Sequence, residues 1–362
     1  IRIDGKFSQV GDKIFTVEDV RRIVSELASE KQRAVFEKSF DVDFALYLAD
    51  FDRRFRVNIF IQRNTPSVVI RNISNIILSF EELNLPSQTF KKLCEETRGL
   101  ILLTGSMGSG KSTAIASMIE YINCNFNKHI LTIEEPIEFT FKDKRSLINQ
   151  RELGQDTLSF ADALKYVLRQ DPDVILIGEM RDLETIGLAI TAAETGHLVF
   201  GTLHTVDAVQ TVDRIIDVFP PHQQQQVRMQ LSVNLVGVLS QTLVKRADKK
   251  GRVAAFETME AIPAIRNLIR EAKTHQIRSI IQTGSKRGMF VLDQHLAQLV
   301  VDGIADYESA REKAVDVNEF EEMVRAKKPE LVEEYAEARA RAEREGEKPA
   351  EEAVSDSHAA GS

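Results

Sequence analysis

The spacing of hydrophobic positions changes along the N-terminal part of this chain. In residues 16–28 apolar side chains recur three and four positions apart, which predicts an amphipathic helix, and residues 31–40 predict a second helix. Beyond them the period shortens to the alternation typical of strands. Residues 1–73 are therefore predicted to form a small α+β unit, with its main strands at residues 43–48, 54–60 and 68–73.

A different pattern begins at Arg98. Short runs that are almost wholly apolar alternate with helical stretches, as in a parallel sheet covered by helices on both faces. The predicted fold class of this second unit is α/β. Its predicted strands are residues 99–104, 129–133, 173–178 and 197–202.

The remaining stretches set the expected boundaries. Residues 74–97 are predicted to be a linker with a helix around residues 90–94, and residues 98–262 to be the α/β core. Residues 263–325 are mostly helical in pattern. Residues 326–362 form an acidic tail, predicted to be disordered apart from a solvated helix near residues 330–345.

Composition narrows the function classes. The net charge of −8 argues against a nucleic-acid partner, and the two cysteines cannot form a zinc site alone. We interpret Cys94 and Cys124 as free thiols of a reducing compartment. An apolar run long enough to span a membrane is missing from the sequence. Because residue 1 is Ile, we expect the natural chain to begin upstream, so that any N-terminal targeting signal would be missing from this sequence.

One motif carries chemistry by itself. Residues 105–112 read GSMGSGKS, after an apolar strand and before a helix. In that context the glycines let backbone N–H groups surround a polyphosphate, and the helix N-terminus adds positive potential. Lys111 is expected to reach the β- and γ-phosphates and Ser112 to hold Mg²⁺.

Carboxylates follow two other predicted strands. Residues 171–179 place Asp173 at the start of a strand and Glu179 at its end, so Glu179 is the better-placed partner for Mg²⁺. Residues 133–138 carry three glutamates around Pro136. A glutamate there can orient attacking water or accept its proton.

Histidines and arginines complete the set. His197 and His204 are expected at opposite ends of one strand, where His204 can sense the γ-phosphate. His129, His222, His275 and His295 have no comparable setting, and we interpret them as surface or satisfied core residues. Three arginines lie on or beside strands: Arg56, Arg63 and Arg71. Three roles stay open for them: inward-facing ions, protectors of a sheet edge, or arginine fingers.

Together these motifs resemble the PilT-type motors of the type IV pilus, within the secretion-ATPase superfamily. The resemblance extends from residue 1 to about residue 325. Its most specific part is AIRNLIRE at residues 264–271, which is characteristic of retraction motors and serves retraction rather than hydrolysis in the family. It also includes residues 133–138, 147–152, 171–182 and 192–205.

The resemblance implies a homohexameric ATPase motor for pilus retraction, with ATP and Mg²⁺ as cofactors. A PAS-like domain at residues 1–73 would precede a RecA-like domain at residues 98–262, with nucleotide between them. The implied partner is the platform protein of the pilus, at the cytoplasmic face of the inner membrane. A second retraction ATPase as partner is left open, and no nucleic acid is expected.

The resemblance also assigns roles by motif. Glu134 and Glu179 are the catalytic residues, Glu134 as the catalytic carboxylate and Glu179 as the Walker B residue. Ser112 binds Mg²⁺ directly, and Glu179 does so through water. The implied nucleotide-binding residues are Gly105, Ser106, Met107, Gly108, Ser109, Gly110, Lys111, Ser112, Thr113, His204, Arg56 and Arg71.

The chain departs from the family in three places. Glu135 stands where the family usually has Asp, which moves the charge by one C–C bond. Ser106 and Met107 replace a common Pro-Thr pair, and the acidic tail lies outside the family core. In addition, roughly thirty N-terminal family residues have no counterpart, consistent with a truncated chain.

Four alternatives remain beside a principal retraction motor. The longer C-terminal extension is compatible with an accessory PilU-like motor, although the intact AIRNLIRE favours the principal one. An extension motor is disfavoured because that branch usually carries a four-cysteine zinc insert. The substitution at Glu135 is the only support for a non-hydrolytic, nucleotide-gated ring. A nucleic-acid motor is disfavoured by net acidity.

Overall fold

The computed structural model describes residues 1–3, 6–51, 53–73 and 76–345. Within them the chain divides into two compact units. The first comprises Ile1–Ile76 with Glu138–Phe141, and the second Ile77–Ile137 with the chain from Lys142 onwards. The division falls inside the stretch predicted to be a linker, and the predicted domain boundaries stay predictions.

The first unit is a three-stranded antiparallel sheet with two helices. A capping box between Thr16 and Asp19 begins the first helix, and Ser29 caps the second. The sheet and helices bury a core that includes Val24, Phe44 and Ile59. In chain order the elements are β1 (Arg2–Ile3), β2 (Lys6–Phe7), α1 (Val17–Leu27), α2 (Glu30–Ser39), β3 (Asp41–Leu48), β4 (Arg53–Gln62) and β5 (Thr65–Ile73).

The second unit holds a seven-stranded sheet. Its elements begin with α3 (Ser87–Cys94), β6 (Gly99–Thr104), α4 (Lys111–Asn125), β7 (His129–Glu134), β8 (Leu147–Glu152), α5 (Phe160–Val167) and β9 (Val174–Ile177). They continue with α6 (Leu183–Glu194), β10 (Leu198–Leu203), α7 (Ala208–Asp217), α8 (Pro221–Asn234), β11 (Leu235–Lys245) and β12 (Arg252–Glu260).

The strand order in this sheet is β12-β11-β6-β10-β9-β7-β8. The neighbours from β11 through β8 pair in parallel, and β12 joins the edge antiparallel to β11. The predicted α/β class is thus confirmed. All six residues of β6 are buried, which requires cover on both faces of the sheet.

Three strands were not predicted. β8 carries Asn149, Gln150 and Arg151, so its sequence lacks the apolar run of a buried strand. β11 follows α8 without any intervening loop, so the helical spacing of apolar residues gives no signal for where the helix ends and the strand begins. β12 reads RVAAFETME, a mixture of small, polar and apolar residues without strict alternation, which is ambiguous between helix and strand.

Helices follow the sheet, as the pattern predicts. They are α9 (Pro263–Arg270), α10 (Ile277–Gln282), α11 (Leu292–Val301), α12 (Tyr307–Arg311), α13 (Val317–Arg325) and α14 (Pro329–Glu345).

The last helix, α14, corresponds to the helix expected near residues 330–345, but it is not wholly solvated. Val332 is buried, and the ring of Tyr335 lies 5.1 Å from that of Tyr307. The rest of the predicted tail, residues 346–362, lies outside the described residues. Across the described part of the chain, the helices are all too short or too polar to cross a bilayer.

Candidate functional site

The sheet brings the predicted site residues of the second unit to one edge. β6, β10, β9 and β7 are consecutive neighbours and run parallel, so their C-terminal ends lie together. In α/β sheets this edge is where ligands bind. The residues after or at those ends are the loop at 105–112, His204, Glu179 and Glu134.

Glycines shape the phosphate-binding loop. Gly105 has φ +141°, and a Cβ there would lie 2.2 Å from the carbonyl oxygen of Gln241. Gly110 has φ +89°, and its Cβ would lie 2.8 Å from Gln241 Nε2. Side chains at either position would therefore collide with β11, which holds the loop closely against the sheet. Thr104 Oγ1 donates to Ser240 Oγ at 2.9 Å and fixes the strand just before the loop.

The loop fits a polyphosphate group. Lys111 begins α4, is largely buried, and donates from Nζ to the carbonyl oxygens of Gly105 at 2.6 Å and Ser106 at 3.1 Å. Its ammonium group thus lies inside the loop. Ser109 Oγ is buried without a hydrogen-bond partner within the described residues, so a polar ligand in the loop could supply that hydrogen bond. Ser112 follows Lys111 in the first turn of α4, where a helix N-terminus favours anions.

Glu134 is the last residue of β7 and is oriented by two neighbours. Its Oε1 accepts hydrogen bonds from Thr132 Oγ1 at 2.7 Å and Gln150 Nε2 at 3.2 Å. Gly178 allows the adjacent strand end to approach closely, because a Cβ there would lie 3.1 Å from Glu134 Cα. Gln150 was not predicted to orient Glu134, since β8 itself was not recognised. The motif at residues 147–152 was its only sequence signal.

Glu179 meets His204 across neighbouring strand ends. Glu179 Oε1 lies 3.0 Å from His204 Nε2 and also accepts a hydrogen bond from Arg181 Nε. Burial raises the pKa of the Glu179 carboxyl, but the hydrogen bonds and charges of Arg181 and His204 outweigh it and lower the net pKa. Glu179 is therefore ionised at neutral pH, which suits its predicted role as a partner for Mg²⁺ through water.

Arg181 is a neighbour that sequence reasoning missed. Its partner Glu179 is the main cause of its raised pKa, and Glu135 adds a smaller favourable charge. Glu135, the residue that departs from the family, therefore acts electrostatically on the same cluster. The only sequence signal for Arg181 was its position two residues after Glu179.

Asp173 and His197 lie at the other end of the same strands. Asp173 accepts hydrogen bonds from Lys128 Nζ at 3.0 Å and from the backbone N–H of His129 at 2.9 Å. His197 Nδ1 lies 2.9 Å from the carbonyl oxygen of Ala192, at the end of α6. The prediction that His197 and His204 flank one strand is confirmed, because β10 spans the residues between them.

Arg56 and Arg71 lie in the first unit, directly opposite each other on β4 and β5. Arg56 Nε approaches Asp43 Oδ1 at 3.5 Å, while Arg71 is exposed. Arg63 lies with Asn64 in the two-residue hairpin turn, both with positive φ. The pairing places Arg56 and Arg71 on one face of the sheet, and their nucleotide-facing role stays a prediction.

His295 is a satisfied core histidine. Its Nδ1 accepts the backbone N–H of Phe256 at 2.9 Å, and burial lowers its pKa to about 4. A neutral imidazole that already accepts a backbone hydrogen bond is held in one tautomer. His295 therefore serves packing.

Comparison with known proteins identifies relatives along most of the chain. The model of the family described as "Type II/IV secretion system protein" matches residues 1–339. A twitching motility protein of Neisseria gonorrhoeae is 52% identical over 87% of this chain and 83% of its own length. The type IV pilus retraction ATPase PilT of Pseudomonas aeruginosa is 49% identical over 87% of this chain and 90% of its own.

A solved structure agrees with this relationship. The crystal structure of the pilus retraction motor PilT with bound ADP superposes with a TM-score of 0.78 at 48% identity. The match covers 83% of this chain and 85% of that one. Both the fold and the sequence of the site-bearing unit therefore have a nucleotide-bound relative.

Proposed function

The chain belongs to the type II/IV secretion system protein family, and from that premise we propose that it is an ATPase motor that powers retraction of type IV pili. The observation that carries the proposal is the meeting of the phosphate loop, Glu134, Glu179 and His204 at one sheet edge. Relatives at 49% and 52% identity, named for pilus retraction and twitching motility, support the same activity.

Each residue of the site would have a separate role in ATP hydrolysis. Bound MgATP supplies the phosphoanhydride bond that is cleaved and the metal charge that offsets the phosphates. Lys111, whose ammonium group lies inside the loop, would neutralise phosphate oxygens, and Ser112 would hold the metal. Glu179, whose pKa Arg181 and His204 lower, would hold the metal through a water molecule.

Glu134 orients the attacking water and accepts its proton. Thr132 and Gln150 both donate to Oε1, which fixes the carboxylate plane at the strand end. His204 stands beside Glu179 with 45% of its side chain exposed, so its imidazole can both contact Glu179 and respond to a phosphate. Release of the γ-phosphate would then alter the Glu179–His204 contact.

The assembly is part of the proposal. In the proposed homohexamer, Arg56 and Arg71 would bind nucleotide phosphates. The motor would act at the cytoplasmic face of the inner membrane on the pilus platform protein. The order of residues 264–271, AIRNLIRE, supports retraction over extension.

A deletion phenotype tests the direction of the motor. Loss of the protein should leave abundant pili and abolish twitching, and the wild-type chain should restore motility. Chains with Lys111→Ala or Glu134→Gln should fail to restore it, while a matched surface change such as Lys92→Ala should succeed. A deletion strain without pili would contradict retraction and indicate extension.

Hydrolysis by the purified chain tests the motor's independence. ATP turnover without a second ATPase indicates a principal motor. Turnover that appears only after a second retraction ATPase is added indicates an accessory motor instead.

A further inference from the structure

A carboxylate outside the predicted motifs is buried two strands away from the start of the phosphate loop. Glu257 lies on β12 and is 4% exposed. The pairing of β12 with β11 places Glu257 opposite Ser240, and the pairing of β11 with β6 places Ser240 opposite Thr104. Glu257 therefore belongs to the row of residues at which the phosphate loop begins.

Glu257 holds the start of α7. Its Oε1 accepts the backbone N–H of Ala208, the first residue of that helix, at 2.8 Å. The Asp207 side chain accepts the N–H of Gln210 at 2.7 Å, so the two carboxylates together satisfy the exposed donors of the first turn. A helix N-terminus fixed in this way cannot slide along the sheet without losing a buried hydrogen bond.

The fixed helix start determines where His204 lies. Only residues 204–207 connect β10 to α7, and His204 is the first of them. Thr205 Oγ1 lies 2.7 Å from Thr211 Oγ1, which ties this connection to the first turn of the helix. A short connection anchored at both ends leaves His204 little freedom of position.

We propose that Glu257 is a positioning residue for His204: by holding the first N–H of α7, it keeps the imidazole against Glu179. The inference rests on the proposed role of His204 at the γ-phosphate. It predicts that a residue without contact to nucleotide affects turnover more than substrate binding.

The charges around Glu257 come from three elements. Asp207 precedes α7, Arg278 lies on α10, and Asp293 lies on α11, with Arg278 Nη2 3.3 Å from Asp293 Oδ2. Burial raises the pKa of Glu257 to about 7, with Asp207 and Asp293 adding to the rise and Arg278 opposing it. The strength of the Ala208 hydrogen bond therefore depends on pH near neutrality, because an ionised acceptor binds an N–H more strongly.

The test uses ATP turnover by the full chain with Mg²⁺. Glu257→Leu removes the acceptor and should lower kcat about fivefold with KM within about twofold, whereas Glu257→Gln keeps an acceptor and should restore most of kcat. Asp306→Asn is the matched control, since Asp306 is a carboxylate that accepts the N–H of Ser309 in the first turn of a different helix, α12. It should leave kcat unchanged.

A double-mutant cycle with His204→Ala identifies the route. If Glu257 acts through His204, Glu257→Leu has no further effect on kcat in that background. An undiminished fivefold loss would overturn the proposal and leave a general structural role. A His204→Ala variant with normal kcat would contradict both the proposed function of His204 and this inference. If kcat falls in His204→Ala but not in Glu257→Leu, only the inference about Glu257 is overturned.

If Glu257→Leu does not fold, the pH dependence of Glu257→Gln decides. The ratio of wild-type to variant kcat should rise as pH passes through about 7, where the Glu257 carboxyl ionises, and approach one at lower pH. A ratio independent of pH would overturn the proposal.

Discussion

Strands β9 and β10 carry similar residues at their two ends and use them in different ways. At the start of the pair lie Asp173 and His197, and after its end lie Glu179 and His204. Asp173 and His197 are each held by backbone groups or a lysine close in the fold. Glu179 and His204 instead contact each other, 3.0 Å apart, beside the phosphate loop.

The difference follows from strand direction. In a parallel sheet all the C-terminal ends open on the same edge, where glycine-rich loops leave room for a ligand. At the opposite edge, the loops that lead from the helices back to the strands fill the space. Polar side chains there form hydrogen bonds with the backbone groups of these loops. A carboxylate and a histidine therefore contact each other at one end of the two strands and hold neighbouring backbone groups at the other.

The largest difference between the two ends of β9 is expected when the carboxylate at each end is neutralised. Glu179→Gln should lower kcat about a thousandfold, because it removes charge beside the reacting phosphate, while ATP binding persists. Asp173→Asn should leave kcat within about twofold. Steady-state turnover and nucleotide binding measure both. Equal losses in the two variants would contradict a site at one edge only.

A second effect concerns stability and sharpens the contrast at the C-terminal edge. The pKa of Glu257 rises from 4.5 to about 7 on folding, so the folded state binds its proton more tightly. This contribution to stability is complete below pH about 4.5 and is lost as pH rises through about 7. The free energy of unfolding of Glu257→Gln should therefore gain about 3 kcal/mol on wild type over that range.

Denaturant unfolding of both proteins at several pH values measures that difference. The comparison with Glu257→Gln cancels the other titrating groups. A constant difference across the range would contradict a buried, pH-sensitive Glu257.

The histidines at the two ends of β10 provide a smaller test. His204→Ala should lower kcat roughly tenfold, less than loss of a fully buried donor, because 45% of the side chain is exposed. His197→Ala removes contacts to the carbonyl oxygen of Ala192 and to Thr195 Oγ1 and should leave kcat unchanged. Turnover of the two variants, with melting temperatures as the control for folding, checks the pair. A larger effect at His197 would reverse the interpretation.

The smallest effect is expected from loss of the Asp173 contacts at the N-terminal edge. Asp173→Ala removes the acceptor for Lys128 and for the N–H of His129. Because both side chains of the ion pair are partly exposed, the free energy of unfolding should fall by only about 1 kcal/mol. Thermal unfolding at low and high salt measures it, and the salt-sensitive share should match that of Lys128→Ala.

Much of the fold was accessible from the sequence. The apolar run of β6 and the amphipathic pattern of α1 are local signals, and each predicted element is present. β8 was missed because its neighbour β7, rather than its own polar side chains, stabilises it, and β11 was missed because it follows α8 without a loop. A polar segment such as β8 becomes a strand only when β7 offers its hydrogen bonds.

The sequence by itself determined the phosphate loop, its flanking strand and helix, and the residue types of Glu134, Glu179 and His204. Glycine conformation and helix termini depend on only a few consecutive residues. The phosphate loop can therefore be predicted from the order of residues in the sequence. Only the tertiary structure decided which carboxylate and which histidine meet, that Gln150 contacts Glu134, and that Glu257 holds α7. Those contacts join residues distant along the chain, and strand order and direction bring them together.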